Sequence, residues 1–282
     1  MKNQLAHFNM GQSSVQMELP NEKEMVIPGV AWGKVSAFPS VAYWLYSVLS
    51  RRIEGTELQY KHGKTLVEEV GACLLGGHAI TAEISIAAYE QLKLKGAFDG
   101  TAHPESKLLE WLTEPIQLSN RTVKYRFARQ KAKYIANALK FLHDEEAPIS
   151  SGQELRNWLL QIKGVGLKTA SWVARNWLDA DDVAILDIHI YRAGLLGGFY
   201  DDHLTIEKNY LQLEQIFIDL AKAMKVKASE LDAVIWYEMQ QSSSVHRLLE
   251  NREQVKNGII SKNTIVYINR NKNTYTPELA LA

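Results

Sequence analysis

The 282-residue sequence has a single cysteine, Cys73. One thiol cannot close an internal disulfide, complete a four-cysteine zinc site or ligate an iron–sulfur cluster. The want of stapling cysteines fits a reducing compartment, and a cytoplasmic location is the expectation. Net charge is lacking too. With 32 basic against 32 acidic residues, bulk attraction cannot coat nucleic acid with this chain, so any such contact must be local and oriented. No apolar run approaches the ~20 residues that span a bilayer. Residues 1–14 are polar and hold no apolar signal segment, so no membrane partner is expected. The histidines show no metal-ligand spacing. Core-forming residues are plentiful: an apolar content of 46% excludes wholesale disorder. At roughly 150 residues per domain, the length suits one large or two modest domains.

Residues 1–36 are weakly patterned and read as an N-terminal arm or short strands. From Pro39 the periodicity is helical. Pro39 suits a first helical turn, with Val41, Trp44, Leu45, Val48 and Leu49 on one face. Further helices are predicted over 65–75, 81–95, 105–112, 127–142, 167–178, 188–195, 205–224 and 230–249. Ser151-Gly152-Gln153-Glu154 reads as a capping box opening another, to Ile162. The segment 264–276 is strand-like, within a tail over 251–282. The chain is therefore expected to be mostly α, with some extended structure at its termini. Arg126, Arg129, Lys131 and Lys133 cluster at one helix start. They read as a solvated face, with phosphate contact as the alternative. Gly76-Gly77-His78 reads as a turn that could also bring His78 near DNA.

The most informative stretch is Leu159–Ala174, LLQIKGVGLKTASWVA. A helix ends, Gly164-Val165-Gly166 reverses the chain, and a second helix starts at once. Two glycines one residue apart permit positive φ and keep Cβ atoms out of the turn. The turn then presents backbone N–H groups at a helix start, where the dipole favours an anion. A DNA phosphate fits there without net basic charge, although a bare Gly-x-Gly is more often a connector between packed helices. Downstream, the apolar run Val183–Leu186 delivers Asp187 to another helix start, where it would be a good N-cap. Asp187 follows Lys168 by 19 residues, and His189 follows two residues later.

Together, apolar-x-Gly-Val-Gly-x-Lys-Thr-Ala, the Lys168–Asp187 spacing and Asp187-x-His189 resemble the helix-hairpin-helix (HhH-GPD) base-excision DNA glycosylase superfamily, nearest its 8-oxoguanine DNA glycosylase branch. The loop before Asp187 departs from the pattern: it is rich in acid (Asp179, Asp181, Asp182) and lacks the usual proline. Ile188 also replaces a common Thr or Val. The resemblance implies a multi-helix fold in which two helical subdomains flank a DNA-binding cleft. The glycosylase domain would span 37–250, with the hairpin at about 155–178. It implies a monomer acting on double-stranded DNA that contains a damaged base, with no required cofactor and none of the iron–sulfur loop of the endonuclease III branch. A monovalent cation on hairpin carbonyls near Val165 is also implied.

Breaking the bond between a base and C1′ of deoxyribose builds positive charge on the sugar, which a carboxylate stabilises. By resemblance that group is Asp187. Lys168 matches the lysine whose neutral amine forms a Schiff base on C1′, so the expected activity is a glycosylase with lyase action, most plausibly on 8-oxoguanine. Gly164, Val165, Gly166 and His189 would meet DNA phosphate. The flipped base would lie between Trp172, one turn beyond Lys168, and Trp236, with Asp232 accepting from its ring N–H groups. Core roles for both tryptophans and a capping role for Asp232 stand beside that reading. Excision of another modified base, alkylated or phage-type, and a non-catalytic module that only grips DNA are the competing functions.

Overall fold

The computed structural model describes residues 2–10, 13–56, 61–77 and 79–258. His78 and the strand-like segment 264–276 lie outside the described residues. The chain opens with two antiparallel hairpins, β1 (Gln4–Met10) with β2 (Ser13–Leu19), and β3 (Met25–Ile27) with β4 (Val30–Ala31). Eleven helices follow among the described residues: α1 (Val41–Glu54), α2 (Leu66–Leu75), α3 (Ala82–Leu94), α4 (Glu105–Thr113), α5 (Ala128–Asp144), α6 (Gly152–Leu159), α7 (Leu167–Leu178), α8 (Ile188–Gly197), α9 (Ile206–Met224), α10 (Ala228–Gln241) and α11 (Val245–Lys256). A short hairpin, β5 (Ile116–Gln117) with β6 (Thr122–Val123), separates α4 from α5.

Local chemistry sets most boundaries. Ser40, Thr65, Thr81 and Ser151 each accept a hydrogen bond from the backbone N–H three residues on, opening α1, α2, α3 and α6. Ser40 therefore caps α1, and Pro39 precedes the helix. The predicted box at α6 is half formed. Glu154 turns to Ser150, and Asp182 takes the free N–H groups of Gly152 and Gln153 at 3.1 Å each. The helix predicted over 230–249 is two helices. Ser242–Ser244 interrupt it, where the Ser242 hydroxyl sits 2.8 Å from that of Ser244 and competes for backbone.

Two hydrophobic cores result. The first gathers both N-terminal hairpins, through Ala6, Phe8, Leu19, Val30 and Trp32, with α1 and α8–α11. The second gathers α2–α7. The helix α7 borders both: Ala170, Val173 and Ala174 belong to the second core, whereas Leu167 packs against the first. The irregular segment after α7 crosses between them, with Val183 in the second core and Ala184 and Leu186 in the first.

Candidate active site

The hairpin joins α6 to α7. Gly164 has φ +94°, and a Cβ there would meet the Tyr134 ring at 2.4 Å, so the glycine lets α5 pack under the turn. Gly166, the N-cap of α7, differs. Its φ is −104° and a Cβ would meet none of the described residues within 4 Å. Among the described residues no side chain caps α7, so the N–H groups of its first turn, which have no intrahelical acceptor, stand beside an exposed glycine. Val165, expected among the phosphate donors, is excluded from that role. Its N–H donates to Ile162 O at 3.0 Å inside the turn, and its side chain is buried. The exposed turn residues Lys163, Gly164 and Gly166 carry no side-chain oxygen. Backbone carbonyls alone would thus hold the implied cation, a neutral donor set suited to a monovalent ion.

Lys168 projects from the first turn of α7 and is exposed. Among the described residues no carboxylate pairs with its amine. Asp187 is nearly buried and caps α8: its Oδ1 accepts from His189 N at 2.8 Å and Ile190 N at 3.0 Å. The cap fixes the carboxylate by one oxygen and leaves Oδ2 as the remaining acceptor. His189 lies within electrostatic range of both groups. Burial holds its imidazole below the ordinary value, against the pull of the Asp187 charge and reinforced by Arg192 and Lys168. Its Nδ1 is buried without a partner, and its ring stands edge-on to Trp236, centroids 6.4 Å apart. An exposed amine, a fixed carboxylate and an imidazole held toward its neutral form thus share one locality.

The two tryptophans occupy opposite cores, Trp172 against the second and Trp236 against the first, each half-buried. Asp232, expected to accept from the ring N–H groups of the base, is buried. Its side chain is 3% exposed and ion-paired to Arg175 at 3.0 Å, and it accepts from the Ile185 backbone. Being on one helix with Trp236 could not reveal this, because the partner comes from α7. The basic cluster is also divided. Lys131 donates to Leu74 O at 2.6 Å and Gly76 O at 2.7 Å, closing the C-terminus of α2. Arg126, Arg129 and Lys133 line an open groove of about 450 Å³ with Phe127, Gln130 and Glu105.

The acid-rich loop proves structural. Asp179 pairs with Lys227 at 2.5 Å, Asp181 accepts from backbone N–H groups of Ala228 and Ser229 at the start of α10, and Asp182 caps α6. Sequence reasoning missed Arg156, Ser171, Arg175, Tyr210 and Glu214, which support the segment leading to Asp187. Glu214 is the detectable one, a charge within the apolar stripe Tyr210, Leu213, Phe217 and Ile218 of α9. His62, also missed, stands edge-on to Trp172 at 6.4 Å between ring centroids.

A glycine hairpin opening a bare helix start, with a lysine on that helix and a capping aspartate after it, defines a helix-hairpin-helix DNA glycosylase fold. The comparisons make the assignment specific. The family profile described as 8-oxoguanine DNA glycosylase matches residues 49–226, and the chain belongs to that family. It is 34% identical over 180 residues to a protein of Saccharolobus islandicus named 8-oxoguanine DNA glycosylase/AP lyase, covering 60% of this chain and 79% of the relative. A protein of the same name from Methanocaldococcus jannaschii is 35% identical over 129 residues, 44% of this chain and 62% of that one. The solved structure of the 8-oxoguanine DNA glycosylase of Thermotoga maritima superposes with a TM-score of 0.52 at 26% identity, covering 69% of this chain and 95% of that one.

Proposed function

We propose that this protein is a bifunctional DNA glycosylase and AP lyase that flips an oxidised purine, 8-oxoguanine, out of duplex DNA and excises it. The observation that carries the reading is the exposed Lys168 on an uncapped helix start, sharing His189 as a neighbour with the buried cap Asp187. The names and structure of the relatives support the substrate. The N–H groups of Gly166 and the first turn of α7 bind a backbone phosphate, and His189, neutral, is a second phosphate contact. The groove of Arg126, Arg129 and Lys133 continues that contact along α5, whose Tyr134 lies under Gly164. Trp172 and Trp236, one from each core, stack on the flipped base. Among the described residues no helix is long and apolar enough to cross a membrane. A cytoplasmic monomer completes this reading.

In the reaction the C1′–N bond breaks and its electron pair leaves with the base. The Asp187 carboxylate stabilises the positive charge that develops on the sugar. The Lys168 amine, once neutral, bonds to C1′. Opening of the sugar ring gives an imine, β-elimination breaks the C3′–O bond, and hydrolysis of the imine returns Lys168. The test is single-turnover excision on matched duplexes carrying 8-oxoguanine, an alkylated purine or no lesion. Release of 8-oxoguanine with strand cleavage is expected; removal of the alkylated purine alone would overturn the substrate, and binding without excision of any base would overturn the enzyme.

A further inference from the structure

The segment Ala184–Leu186 is buried and lies in neither a helix nor a strand, so its polar groups need other partners. Buried side chains of α9 and α10 supply them. Glu214 Oε1 accepts from Ala184 N at 3.0 Å, and Tyr210 Oη donates to Ala184 O at 2.9 Å and accepts from Leu186 N at 3.2 Å. Asp232 accepts from the Ile185 backbone. Each carboxylate is in turn held by a buried arginine, Glu214 by Arg156 of α6 and Asp232 by Arg175 of α7. Ser171 of α7 also donates to Glu214 at 3.2 Å. Lys168, Ser171 and Arg175 fall at i, i+3 and i+7, one stripe of α7. The helix that carries the amine therefore grips, through two acids, the backbone that carries Asp187.

We propose that Asp232 and Glu214, with Arg175 and Arg156, are positioning residues of the glycosylase reaction, fixing Ala184–Leu186 and hence the Asp187 carboxylate relative to Lys168. The inference rests on the glycosylase reading above. Two buried ion pairs are costly ways to fasten a loop, because desolvation offsets most of their Coulomb attraction. A backbone clamp gives them a use that hydrophobic residues could not match. Asp232 also lies within electrostatic range of Asp187 and Asp181 on the loop and of Arg175 on α7, and burial pushes its carboxyl up to about 7. Its clamp is thus sensitive to charge where Asp187 sits.

The experiment is a double-mutant cycle on single-turnover excision of 8-oxoguanine by the full chain. Asp232→Asn should lower the excision rate about 10- to 100-fold, the scale of a small misplacement of a reacting group, with affinity for lesion duplex unchanged. In an Asp187→Asn background the same substitution should change the residual rate less than about 3-fold, since a group acting through Asp187 has nothing left to position. An unchanged rate for Asp232→Asn, or an equal loss in both backgrounds, overturns the proposal. If Asp232→Asn does not fold, Tyr210→Phe, which removes one hydroxyl from the same segment, is judged by the same criteria. Wild-type protein that leaves 8-oxoguanine in place would instead overturn the glycosylase reading, so the two failures are distinct.

Discussion

Gly164 and Gly166 stand two residues apart in one turn, yet they should fail in opposite ways when substituted. In Gly164→Ala, the Cβ would lie 2.4 Å from the Tyr134 ring on a backbone with φ +94°. Overpacking costs about 1–3 kcal/mol and the left-handed conformation about 1–2 kcal/mol more. The sum is a large share of the ~5–15 kcal/mol that keeps a typical protein folded. In Gly166→Val, the backbone at φ −104° already suits a β-branched residue and none of the described residues lies within 4 Å of the new Cβ, so the stability cost is that of a poorer N-cap, about 1 kcal/mol. The valine instead occupies the approach to the N–H groups of α7. Losing one charge-assisted hydrogen bond to phosphate, worth about 1.5–3 kcal/mol, should weaken DNA binding about 10- to 100-fold. Thermal unfolding and fluorescence anisotropy on lesion and undamaged duplexes at moderate salt separate the effects. Gly164→Ala should lower Tm markedly; Gly166→Val should lower it far less and lose affinity for both duplexes alike, since phosphate contacts do not read bases. Wild-type affinity in Gly166→Val would reduce the hairpin to a connector.

Three further outcomes follow from the site. Asp187→Asn keeps the oxygen that caps α8 but removes the charge opposing the sugar cation, so excision should fall by roughly 10²-fold, about 2.7 kcal/mol, with Tm little changed; normal turnover would leave Asp187 as a cap only. Trp236→Ala should weaken excision of every accepted base by about 1–3 kcal/mol of lost stacking and spare affinity for undamaged duplex; an equal loss on undamaged duplex would refute its place beside the base. The third concerns pH. The Asp232 carboxyl, pushed up to about 7 by burial despite Arg175, titrates near ~4 in an unfolded chain. Between those values the folded state holds the extra proton, so raising the pH costs stability there. The Tm of Asp232→Asn minus that of the wild type should therefore rise from about pH 4 to about pH 7, and a flat difference would contradict the burial.

The features legible in the sequence are those written within a few residues of one another. The hairpin, α7 at Leu167–Leu178 and the capping position of Asp187 all follow from local spacing and turn chemistry. The burial of Asp232 was not legible because a position on a helix does not say what the side chain faces, and its partner Arg175 lies three helices earlier, on α7. Lys131 resembled its basic neighbours until the fold brought the carbonyls of Leu74 and Gly76 to it. Val165 shares the glycine turn but donates its N–H internally, a matter of geometry that the letters Gly-Val-Gly do not specify. The acid-rich loop looked like a departure from the family pattern. Its three carboxylates serve one ion pair and two helix starts contributed by distant segments.

The covalent step is the most direct point of attack. Borohydride reduction of a reaction between the protein and an 8-oxoguanine duplex should trap a protein–DNA adduct, and peptide mass spectrometry should place the sugar remnant on Lys168. Lys168→Gln should bind the duplex and give no adduct. A wild-type adduct mapping to another residue, or an undiminished adduct in Lys168→Gln, would contradict the assignment of Lys168 as the nucleophile.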